Sequence, residues 1–500
     1  MDFLDPKKHR QNQFRLLLGY VLIGLAIAIS TVILKYVADG YSVDKNGQVT
    51  LNGVVYISST PTSASIYLNG KPYKDTTDTR LVLPSGTYDL KVTAQGYRDW
   101  QRQIVVLGKD VQRFDYPFLI PRTLQPKPLA PAQTTPAFTT QSPDHRWLLV
   151  KPANEAALIT QYDLKKPAQP VATTLTIPET IFTTGEEQTW SATEWSSDNH
   201  RLVLEHKYTL NGTATHEYIL FDRADPLKSI NLTRQLQLTE TDTLSLFDKK
   251  YDHYYVFDQA AHTLHTATLD TTAAAQRLNN VLAFKSYGDD MLLYVTTIPP
   301  TGKAIAGKVS VVLQEGQKTY TLRTLPADAP AYPLDLATYN GDWYVLTGAS
   351  TDVGVYIYQN PQQQVTASKG LPAPWRLLRL ANANYVSFSS NAQFMMAESG
   401  QQFVVYDADN VRTYRFTSTE PLDAPQNHAN WMDAHRLTYV SGGKQVVFDY
   451  DYQNVQQLVT ALPGFAPAFS GDYKFLYTTA PVPDDAAAAV IMSTPLRVSS

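Results

Sequence analysis

Apolar and polar positions follow two different patterns along the chain. Residues 16–34 form an unbroken apolar run, LLLGYVLIGLAIAISTVIL. A helix rises about 1.5 Å per residue, so a run of this length crosses a hydrocarbon core of roughly 30 Å. Farther along, short apolar stretches alternate with polar turns, and several stretches show the period of two that a half-buried strand requires. The chain is therefore predicted to be mainly β, with one N-terminal transmembrane helix.

The apolar run has the features of a membrane anchor. Lys7, Lys8, Arg10 and Arg15 precede it, and positively charged flanks stay on the cytoplasmic side of a membrane. A cleaved signal peptide is the alternative, but its apolar region is about 7 to 15 residues long and ends at a small-residue site. Residues 38–40 match such a site poorly. We expect an uncleaved anchor, with the N-terminus in the cytoplasm and the rest of the chain outside.

Several short strands follow the anchor. Residues 53–58 form an apolar strand, and residues 64–68 alternate apolar with polar side chains. Asn69-Gly70 then gives a strong hairpin-turn signal, because both residues accept positive φ. Residues 87–94, after a second turn, alternate again between a core face and a wet face. Strands this short and numerous in about 70 residues predict a small β-sandwich.

The order of these elements resembles a PEGA domain over residues 52–120. The matching segments, in chain order, are Pro61-Thr62-Ser63-Ala64, Asn69-Gly70-Lys71, Leu83-Pro84-Ser85-Gly86-Thr87-Tyr88 and Ala94-Gln95-Gly96-Tyr97. The family is named for a Pro-Glu-Gly-Ala turn, and Thr62 and Ser63 replace its middle two residues here. The resemblance implies a β-sandwich module of extracytoplasmic and surface-layer proteins, without catalytic residues. An unrelated β-sandwich is the alternative and leads to the same class of function.

A proline-rich segment separates this module from the rest of the chain. Prolines occur at positions 117, 121, 126, 128, 131 and 136. Such a composition favours extended polyproline II and predicts a semi-rigid linker over residues 121–136.

The remaining residues, 137–500, repeat one unit: an apolar stretch, a polar turn and a second apolar stretch. The copies recur roughly every 38 to 54 residues, a spacing that is typical of four-stranded propeller blades. We therefore predict a β-propeller of seven or eight blades, and the number of copies favours eight. A strand from residues 120–140 would complete the last blade. A β-helix or stacked sandwiches are the alternatives. The S-P-D and F-S-x-D turns resemble those of TolB-like and WD-type propellers. The eight turns start at Ser142, Trp195, Phe247, Tyr287, Tyr339, Phe388, Trp431 and Phe469.

Composition and charge exclude several classes of protein. The chain has no cysteine, which rules out disulfides, thiolate nucleophiles and cysteine-ligated metals. The net charge is -4, so the sequence gives no indication of the basic face that nucleic-acid binding requires. Charged residues make up only 18%, whereas tyrosine occurs 31 times, which suits pleated surfaces.

No linear motif in the repeat region predicts catalysis. The sequence has no G-x-S-x-G elbow and no H-E-x-x-H zinc motif, and its ten histidines are scattered. Ser196 and Asp198 fall in phase with a sialidase-like Asp-box, but His200 replaces its glycine, so we interpret the match as a β-turn. The same interpretation, of Asp capping its own backbone in a turn or loop, applies to three acidic pairs, Asp407 and Asp409, Asp449 and Asp451, and Asp484 and Asp485.

These features predict a single-pass binding or scaffold protein of the cell envelope, with the propeller as interaction platform. Its partners would be the membrane and an envelope protein or glycan. We assign no catalytic, cofactor-binding or metal residue, expect no cofactor, and leave the binding residues unknown. The alternatives are a partner-dependent envelope sensor and an extracytoplasmic hydrolase or lyase. An enzyme would require two carboxylates, or a carboxylate and a histidine, about 5 to 10 Å apart at a channel mouth.

The expected organisation has six parts. They are a cytoplasmic tail over residues 1–14, a transmembrane helix over 15–37, a spacer over 38–51, a PEGA-like β-sandwich over 52–120, a proline-rich linker over 121–136 and a β-propeller over 137–500.

Overall fold

The chain divides into two units between Thr123 and Leu124. Each unit has its own buried apolar core. The structure, a computed structural model, describes residues 6–38, 40–43, 48–271, 274–300, 302–368, 370–423 and 428–498.

Unit 1 begins with helix α1 (Pro6–Ala38). The helix includes the predicted span of 15–37 and also part of the predicted tail, since it continues back to Pro6. From Gln13 to Ala38 it is long and apolar enough to cross a membrane, and none of that stretch is buried. These properties fit a signal anchor or a membrane span.

Two four-stranded sheets follow α1 in unit 1. In the first, β2 pairs with β1, β5 and β8, and the second has the order β4-β3-β6-β7. Strand β1 and the start of β2 lie in the predicted spacer, of which residues 44–47 are outside the described residues. The strands are β1 (Tyr41–Val43), β2 (Val49–Ile57), β3 (Ser65–Leu68), β4 (Lys71–Thr76), β5 (Thr79–Pro84), β6 (Gly86–Thr93), β7 (Trp100–Val106) and β8 (Val111–Phe114).

The period-two pattern determines which side chains of unit 1 are buried. In β6, Leu90 and Val92 are buried while Thr87 and Asp89 are exposed, as the alternation predicts. The buried apolar residues of both sheets form the core of a sandwich, which is the predicted fold. At the β3–β4 turn, Asn69 has φ 49° and Gly70 has φ 75°, so the predicted hairpin turn is confirmed.

Unit 2 is a β-propeller whose described residues form eight sheets. In blades 1 to 7, four consecutive strands make each sheet in chain order. Blades 1 to 4 consist of β11 (Pro136–Gln141), β12 (Trp147–Pro152), β13 (Leu158–Asp163) and β14 (Val171–Thr176); β15 (Glu186–Trp195), β16 (Arg201–Leu210), β17 (Thr213–Asp222) and β18 (Ile230–Asn231); β19 (Asp242–Leu246), β20 (His253–Asp258), β21 (Thr263–Thr268) and β22 (Ala275–Leu278); and β23 (Val281–Tyr287), β24 (Met291–Thr296), β25 (Lys308–Glu315) and β26 (Lys318–Pro326).

Blades 5 to 7 continue the same order, and blade 8 takes its outer strands from the start of unit 2. These strands are β27 (Leu334–Tyr339), β28 (Asp342–Gly348), β29 (Gly354–Gln359) and β30 (Arg376–Arg379); β31 (Tyr385–Phe388), β32 (Phe394–Ser399), β33 (Gln402–Asp407) and β34 (Arg412–Thr417); β35 (Asn430–Trp431), β36 (Arg436–Ser441), β37 (Lys444–Asp449) and β38 (Gln456–Thr460); and β39 (Ala468–Phe469), β40 (Phe475–Val482) and β41 (Asp485–Pro495), with β9 (Lys127–Pro128) and β10 (Gln133–Thr134).

Short helices occur only in connections within the described part of unit 2. They are α2 (Leu232–Leu236), α3 (Pro361–Ser368) and three 3-10 turns at Glu179–Ile181, Pro226–Lys228 and Phe247–Lys249.

The eight repeated turns of the sequence all lie between the first and second strands of the eight sheets. The middle of each second strand is buried because neighbouring blades cover both of its faces. In β24, for example, all six side chains from Met291 to Thr296 are buried. The outer strand β14, by contrast, is exposed at five of its six positions. This gradient from the apolar middle of a blade to its polar outer edge is the origin of the repeat in the sequence.

Blade 8 packs against blade 1 and closes the ring. The Gln141 side chain, at the end of β11, donates a hydrogen bond to the Phe469 carbonyl at 2.7 Å and accepts one from the Phe469 amide at 3.1 Å. Behind this contact, residues of both blades share one buried cluster that includes Leu148, Tyr162 and Tyr477.

Part of the predicted linker over residues 121–136 belongs to this closure. Strand β9 pairs with β41 at Met492 and Ser493, and β10 pairs with it at Ala488 and Ala489. The predicted strand from residues 120–140 that completes the last blade is therefore confirmed, as β9 and β10. The prediction of a free polyproline linker over the same residues is wrong, because the last blade uses their backbone groups for pairing.

Candidate functional site

A cavity of about 270 Å³ lies among the connections of blades 6, 7 and 8. Its walls come from the start of β31, the segment before β35, the β36–β37 hairpin and the segment that leads from β38 to β39. The lining residues are Tyr385, Leu422, His428, Asn430, Thr438, Tyr439, Val440, Gln445, Pro463, Gly464, Phe465, Ala466 and Pro467.

One wall of the cavity is held by a contact between a carboxylate and an imidazole. Glu398, at the end of β32, is 1% exposed, and it accepts a hydrogen bond from the Ala429 amide at 3.0 Å. Its second oxygen lies 3.1 Å from Nδ1 of His428. Because a carboxylate only accepts hydrogen bonds, Nδ1 of His428 is the donor in this contact. Glu398 thus fixes the position of the His428 ring.

Tyr385 completes this wall by stacking on the imidazole. The two ring centroids are 4.0 Å apart and the rings are parallel within 2°. Burial, together with the nearby carboxylates of Asp335 and Glu398, raises the pKa of the Tyr385 hydroxyl. The phenol therefore stays neutral at physiological pH, and it adds aromatic surface without charge.

Gln445, on β37, also lines the cavity and is fully buried. Its Nε2 donates to Oγ1 of Thr438 at 2.5 Å and to the Tyr439 carbonyl at 3.1 Å. The Tyr439 carbonyl accepts hydrogen bonds only, so the amide orientation is fixed. Oε1 of Gln445 has no hydrogen-bond partner among the described residues. A buried acceptor without a donor carries a desolvation cost of roughly 1–3 kcal/mol.

The rest of the cavity lining mixes apolar residues with polar ones such as Asn430 and Thr438. Phe465 is half-buried, and it lines the cavity with Pro463 and Pro467. Among the described lining residues there is no Lys, Arg, Asp or Glu. Burial also raises the pKa of Tyr439, with a further contribution from its hydrogen bond to Tyr452. The cavity therefore combines aromatic walls with a few fixed polar atoms, which is typical of small-molecule sites.

A second polar cluster lies inside blade 2 and is closed to solvent. Glu217 is 2% exposed and His206 is fully buried. Burial raises the pKa of Glu217, but hydrogen bonds from His206, from the Thr183 amide and from Asn231 outweigh this effect and lower the pKa overall. All these groups are partnered, so we assign the cluster a structural role.

Lys151, in blade 1, is a further buried ionisable group. Its side chain is fully buried, and Nζ donates to the carbonyls of Pro152 at 3.3 Å and of Glu155. Nζ also lies 5.2 Å from the centroid of the Trp190 ring. Burial lowers the pKa of Lys151 to about 8.

Unit 1 has a separate cavity, of about 320 Å³, on strands β2, β5 and β8. Within it, the Arg113 guanidinium lies 4.8 Å from the centroid of the Tyr56 ring. The other lining residues are Ser58, Asp78, Thr79, Arg80 and Asp115.

The residues that the sequence analysis examined for chemistry lie in turns. Ser196 accepts a hydrogen bond from the Arg201 amide at 3.1 Å and donates to Asp198 at 2.5 Å. Asp407 accepts from the amides of Asp409 and Asn410 at 3.0 and 3.2 Å.

The other two acidic pairs show the same geometry. Asp451 accepts a weak hydrogen bond from the Gln453 amide at 3.4 Å, and Asp449 accepts from the Asn454 side chain at 2.8 Å. Asp484 lies in the turn before β41, and Asp485 accepts from the Ala487 amide at 3.1 Å. Asp407, Asp451 and Asp485 thus accept hydrogen bonds from amides of their own turns, as predicted for one member of each pair.

Sequence reasoning did not find Glu398, His428 or Gln445. Glu398 and His428 are 30 residues apart in the chain and belong to different blades, so no linear motif contains them. One signal was available: Glu398 and Gln445 interrupt apolar strands, where a polar residue requires a partner. Among the described residues there is no group of three or more His, Cys, Asp or Glu that could hold a metal ion.

The β-sandwich of unit 1 is where the chain has a known relative. Residues 52–120 match the PEGA domain family. The match has the same bounds as the resemblance seen in the sequence and confirms it. The PEGA domain covers strands β2 to β8 apart from the first residues of β2, so the match describes unit 1 and not the propeller. No curated protein matches the chain.

Solved structures that resemble the chain do so weakly. An oligogalacturonate lyase in complex with manganese is 10% identical, with a TM-score of 0.40, over 75% of this chain and 98% of its own. The Cps50 (Swd1) β-propeller domain of Myceliophteria thermophila is 7% identical, with a TM-score of 0.33, over 75% and 100%. Dipeptidyl peptidase 4 of Porphyromonas gingivalis is 15% identical, with a TM-score of 0.43, over 73% and 58%. The fold assignment therefore stands on the sheet order and ring closure described above.

Proposed function

We propose that this protein is a membrane-anchored, extracytoplasmic binding protein that holds an envelope protein or glycan at its propeller. The observation that carries the proposal is the cavity of blades 6 to 8, with its aromatic walls and the imidazole of His428. A cavity of this kind is the usual location of a ligand in a folded domain.

The anchor in this proposal is α1. Its apolar stretch, Gln13–Ala38, has the length of a membrane span, and basic residues precede it. The charge asymmetry favours a cytoplasmic N-terminus. A PEGA domain directly after the helix supports the same orientation, because PEGA domains are modules of extracytoplasmic proteins.

Site-specific photocrosslinking on intact cells tests the binding role. A photoreactive amino acid replaces Phe465 at the cavity, and in a matched control it replaces Leu227, which is 86% exposed in blade 2. We expect one small set of adducts from position 465 and none of these from position 227. Identical adducts from both positions, or none from position 465, would contradict the proposal.

Protease treatment of whole cells tests the orientation separately. We expect the propeller and the PEGA domain to be digested while a tag at the N-terminus survives. Protection of the propeller until the cells are lysed would show that the orientation is wrong.

The contact between Glu398 and His428 favours a second candidate function, that of an extracytoplasmic hydrolase or lyase. An imidazole oriented by a carboxylate is the usual form of a general base. The two groups touch at 3.1 Å, however, and do not flank a substrate at the 5 to 10 Å or so that paired acid and base groups require. Incubation of the protein with cell-wall glycans, with detection of new reducing or unsaturated ends, tests this candidate. The enzyme function requires that the unchanged protein forms such products and that the His428→Asn variant does not.

A further inference from the structure

Helix α1 joins one defined end of the β-sandwich in unit 1. The Gly40 amide donates to the Val37 carbonyl of α1 at 3.0 Å, and the Gly40 carbonyl accepts from the Asn52 amide of β2 at 2.8 Å. The Lys109 amide, in the β7–β8 turn, donates to the Asn52 carbonyl at 2.8 Å. The end of β5 pairs with β2 at the same level, and the start of β6 pairs with the end of β7. We call this end of the sandwich, residues 40–41, 49–52, 82–86 and 105–111, the anchor end.

The β7–β8 turn is packed closely on the start of β2. A Cβ at Gly53 would clash with the Leu107 carbonyl oxygen, and a Cβ at Gly108 would clash with the Leu51 side chain. Glycine permits this close approach because it has no side chain. The position of Leu107 relative to the start of β2, and through it to the end of α1, is therefore fixed by packing.

Exposed apolar side chains of the sandwich are concentrated at the anchor end. Five large apolar residues there are between 46% and 64% exposed. Elsewhere in the described part of the sandwich one such residue is exposed, Tyr56, and its ring lies 4.8 Å from the Arg113 guanidinium. Apolar surface gathered at one place marks an interaction site. The five residues are Val49, Val82, Val105, Leu107 and Val111.

The anchor end lies at the level of the lipid headgroups when α1 spans a membrane. The apolar run ends at Leu34 and α1 ends at Ala38, about 6 Å farther along the helix axis. The headgroup layer on each side of the hydrocarbon core is roughly 5–8 Å thick. Lys35 and Tyr36 are residue types that favour this layer, and the Tyr36 ring lies 5.4 Å from the ring of Tyr41 in β1. The sandwich therefore begins at the outer border of the headgroup layer.

The charged residues of the β7–β8 turn are compatible with a phospholipid surface. Lys109 is exposed, and its Nζ lies 5.7 Å from the centroid of the Tyr41 ring. The Asp110 carboxylate is occupied within its own segment, since it accepts from the Val111 amide at 2.9 Å and from Nε2 of Gln112 at 3.0 Å. A lysine beside exposed apolar side chains can place its stem among lipid chains while its ammonium group reaches a phosphate.

We propose that the anchor end of the PEGA domain docks on the outer surface of the membrane that α1 spans. Leu107, Val49 and Val111 contact phospholipid in this arrangement, and Lys109 faces the lipid phosphates. The inference rests on the proposed membrane anchor and adds a second, interfacial contact to it. This contact restricts the tilt of the sandwich relative to the end of α1.

Fluorescence quenching in nanodiscs tests the contact at Leu107. The chain contains no cysteine, so Leu107→Cys gives the full-length protein a single site for an environment-sensitive dye. The nanodiscs contain phosphatidylcholine, part of which carries a nitroxide near its headgroup. We expect this nitroxide to lower the emission from position 107 by about twofold, because an interfacial side chain lies about 5–10 Å into the headgroup boundary.

Thr62→Cys is the matched control at the opposite end of the sandwich. Thr62 is exposed and precedes β3, whose first residue pairs with the last residue of β6. The eight residues of β6 separate this end from the anchor end by about 20–25 Å. The nitroxide should leave the emission from position 62 unchanged. Leu25→Cys, within α1, is the positive control and should be quenched by a nitroxide placed deep in the acyl chain.

Val111→Asp, in the Leu107→Cys background, tests the apolar contact itself. A carboxylate disfavours contact with the acyl region of the lipid, so the quenching at position 107 should fall by about half. Val171→Asp is the matched control, because Val171 is 62% exposed in blade 1 of unit 2. This control should leave the quenching unchanged. Thermal melting shows whether each variant is folded.

The results separate failure of the docking from failure of the anchor. Quenching at position 25 without quenching at position 107 would overturn the docking and leave the membrane anchor in place. Equal quenching at positions 62 and 107, or equal quenching in Val111→Asp and Val171→Asp, would also overturn the docking. Absence of quenching at position 25 would contradict the anchor, and the docking with it.

Discussion

Lys151 shows how a single buried side chain couples the stability of blade 1 to pH. Its amine is enclosed and donates only to backbone carbonyls. Burial disfavours the charged form and lowers the pKa of Lys151 to about 8. In the unfolded chain the pKa of a lysine is about 10.4. Between these two pKa values the unfolded chain binds more protons than the folded one, so this residue makes stability rise with pH.

Lys151→Met should remove this pH dependence. We expect the unfolding free energy of the unchanged protein, relative to the variant, to rise by up to about 2 kcal/mol between pH 7.5 and pH 9.5. Urea unfolding at both pH values measures the difference. Lys166→Met, at an exposed position, is the control and should show no such change. Parallel pH profiles for Lys151→Met and the unchanged protein would contradict the assignment.

The turn at Ser196 allows a second prediction at the residue scale. Its buried hydroxyl bridges the Arg201 amide and Asp198 within the turn. Ser196→Ala should therefore lower the unfolding free energy by about 1–2 kcal/mol. Ser197→Ala, in the same turn but exposed, should change it by less than about 0.5 kcal/mol. Equal effects of the two substitutions in urea unfolding would show that the bridge contributes nothing.

Local residue chemistry was predictable from the sequence where it acts over a few positions. Asn69-Gly70 and the Ser-x-Asp turns are short-range signals, because their hydrogen bonds join residues that are at most about five apart. The Glu398–His428 contact joins residues 30 positions apart and depends on how two blades pack. Its geometry becomes visible only in the folded chain.

At the scale of elements, the unusual strands are those that close the ring. Strands β9 and β10 contain only two residues each and lie in a proline-rich segment. The short last repeat predicted that a strand from residues 120–140 completes the final blade, but the bounds of a two-residue strand could not be located because it has no periodicity to detect. The repeated turns, in contrast, located the first hairpin of every blade, because each hairpin repeats the same burial pattern.

The hydrogen bonds between Gln141 and Phe469 give a prediction at this scale. Gln141→Ala removes both contacts between β11 and the backbone of β39. The Phe469 amide loses this acceptor, and the Phe469 carbonyl keeps only its 3.3 Å contact with Nδ1 of His145. We expect a loss of about 1–3 kcal/mol in unfolding free energy, together with faster amide exchange in β39 and β11. Gln133→Ala, at an exposed position of β10, is the control. Unchanged exchange in β39 would contradict a role in closure.

At the scale of the whole molecule, the two units have separate cores. Ile57 is fully buried in unit 1, and Val345 is fully buried in blade 5 of unit 2. We expect calorimetry to show two transitions. Ile57→Ala should lower the unfolding free energy of unit 1 by about 2–4 kcal/mol and so shift one transition. Val345→Ala should do the same for unit 2 and shift the other transition. A single transition that both substitutions shift equally would show that the units unfold together.

The ring closure also determines when the propeller becomes complete during synthesis. Thr135, just after β10, donates to the carbonyl of Ala487, and 352 residues separate the two positions. Strands β9 and β10 are the first part of unit 2 to leave the ribosome, and they can pair only after the last strand, β41, has been synthesised. A chain released early keeps seven blades with an open edge, and exposed edges are prone to aggregation and proteolysis. The propeller can therefore close only after translation has reached the end of the last blade.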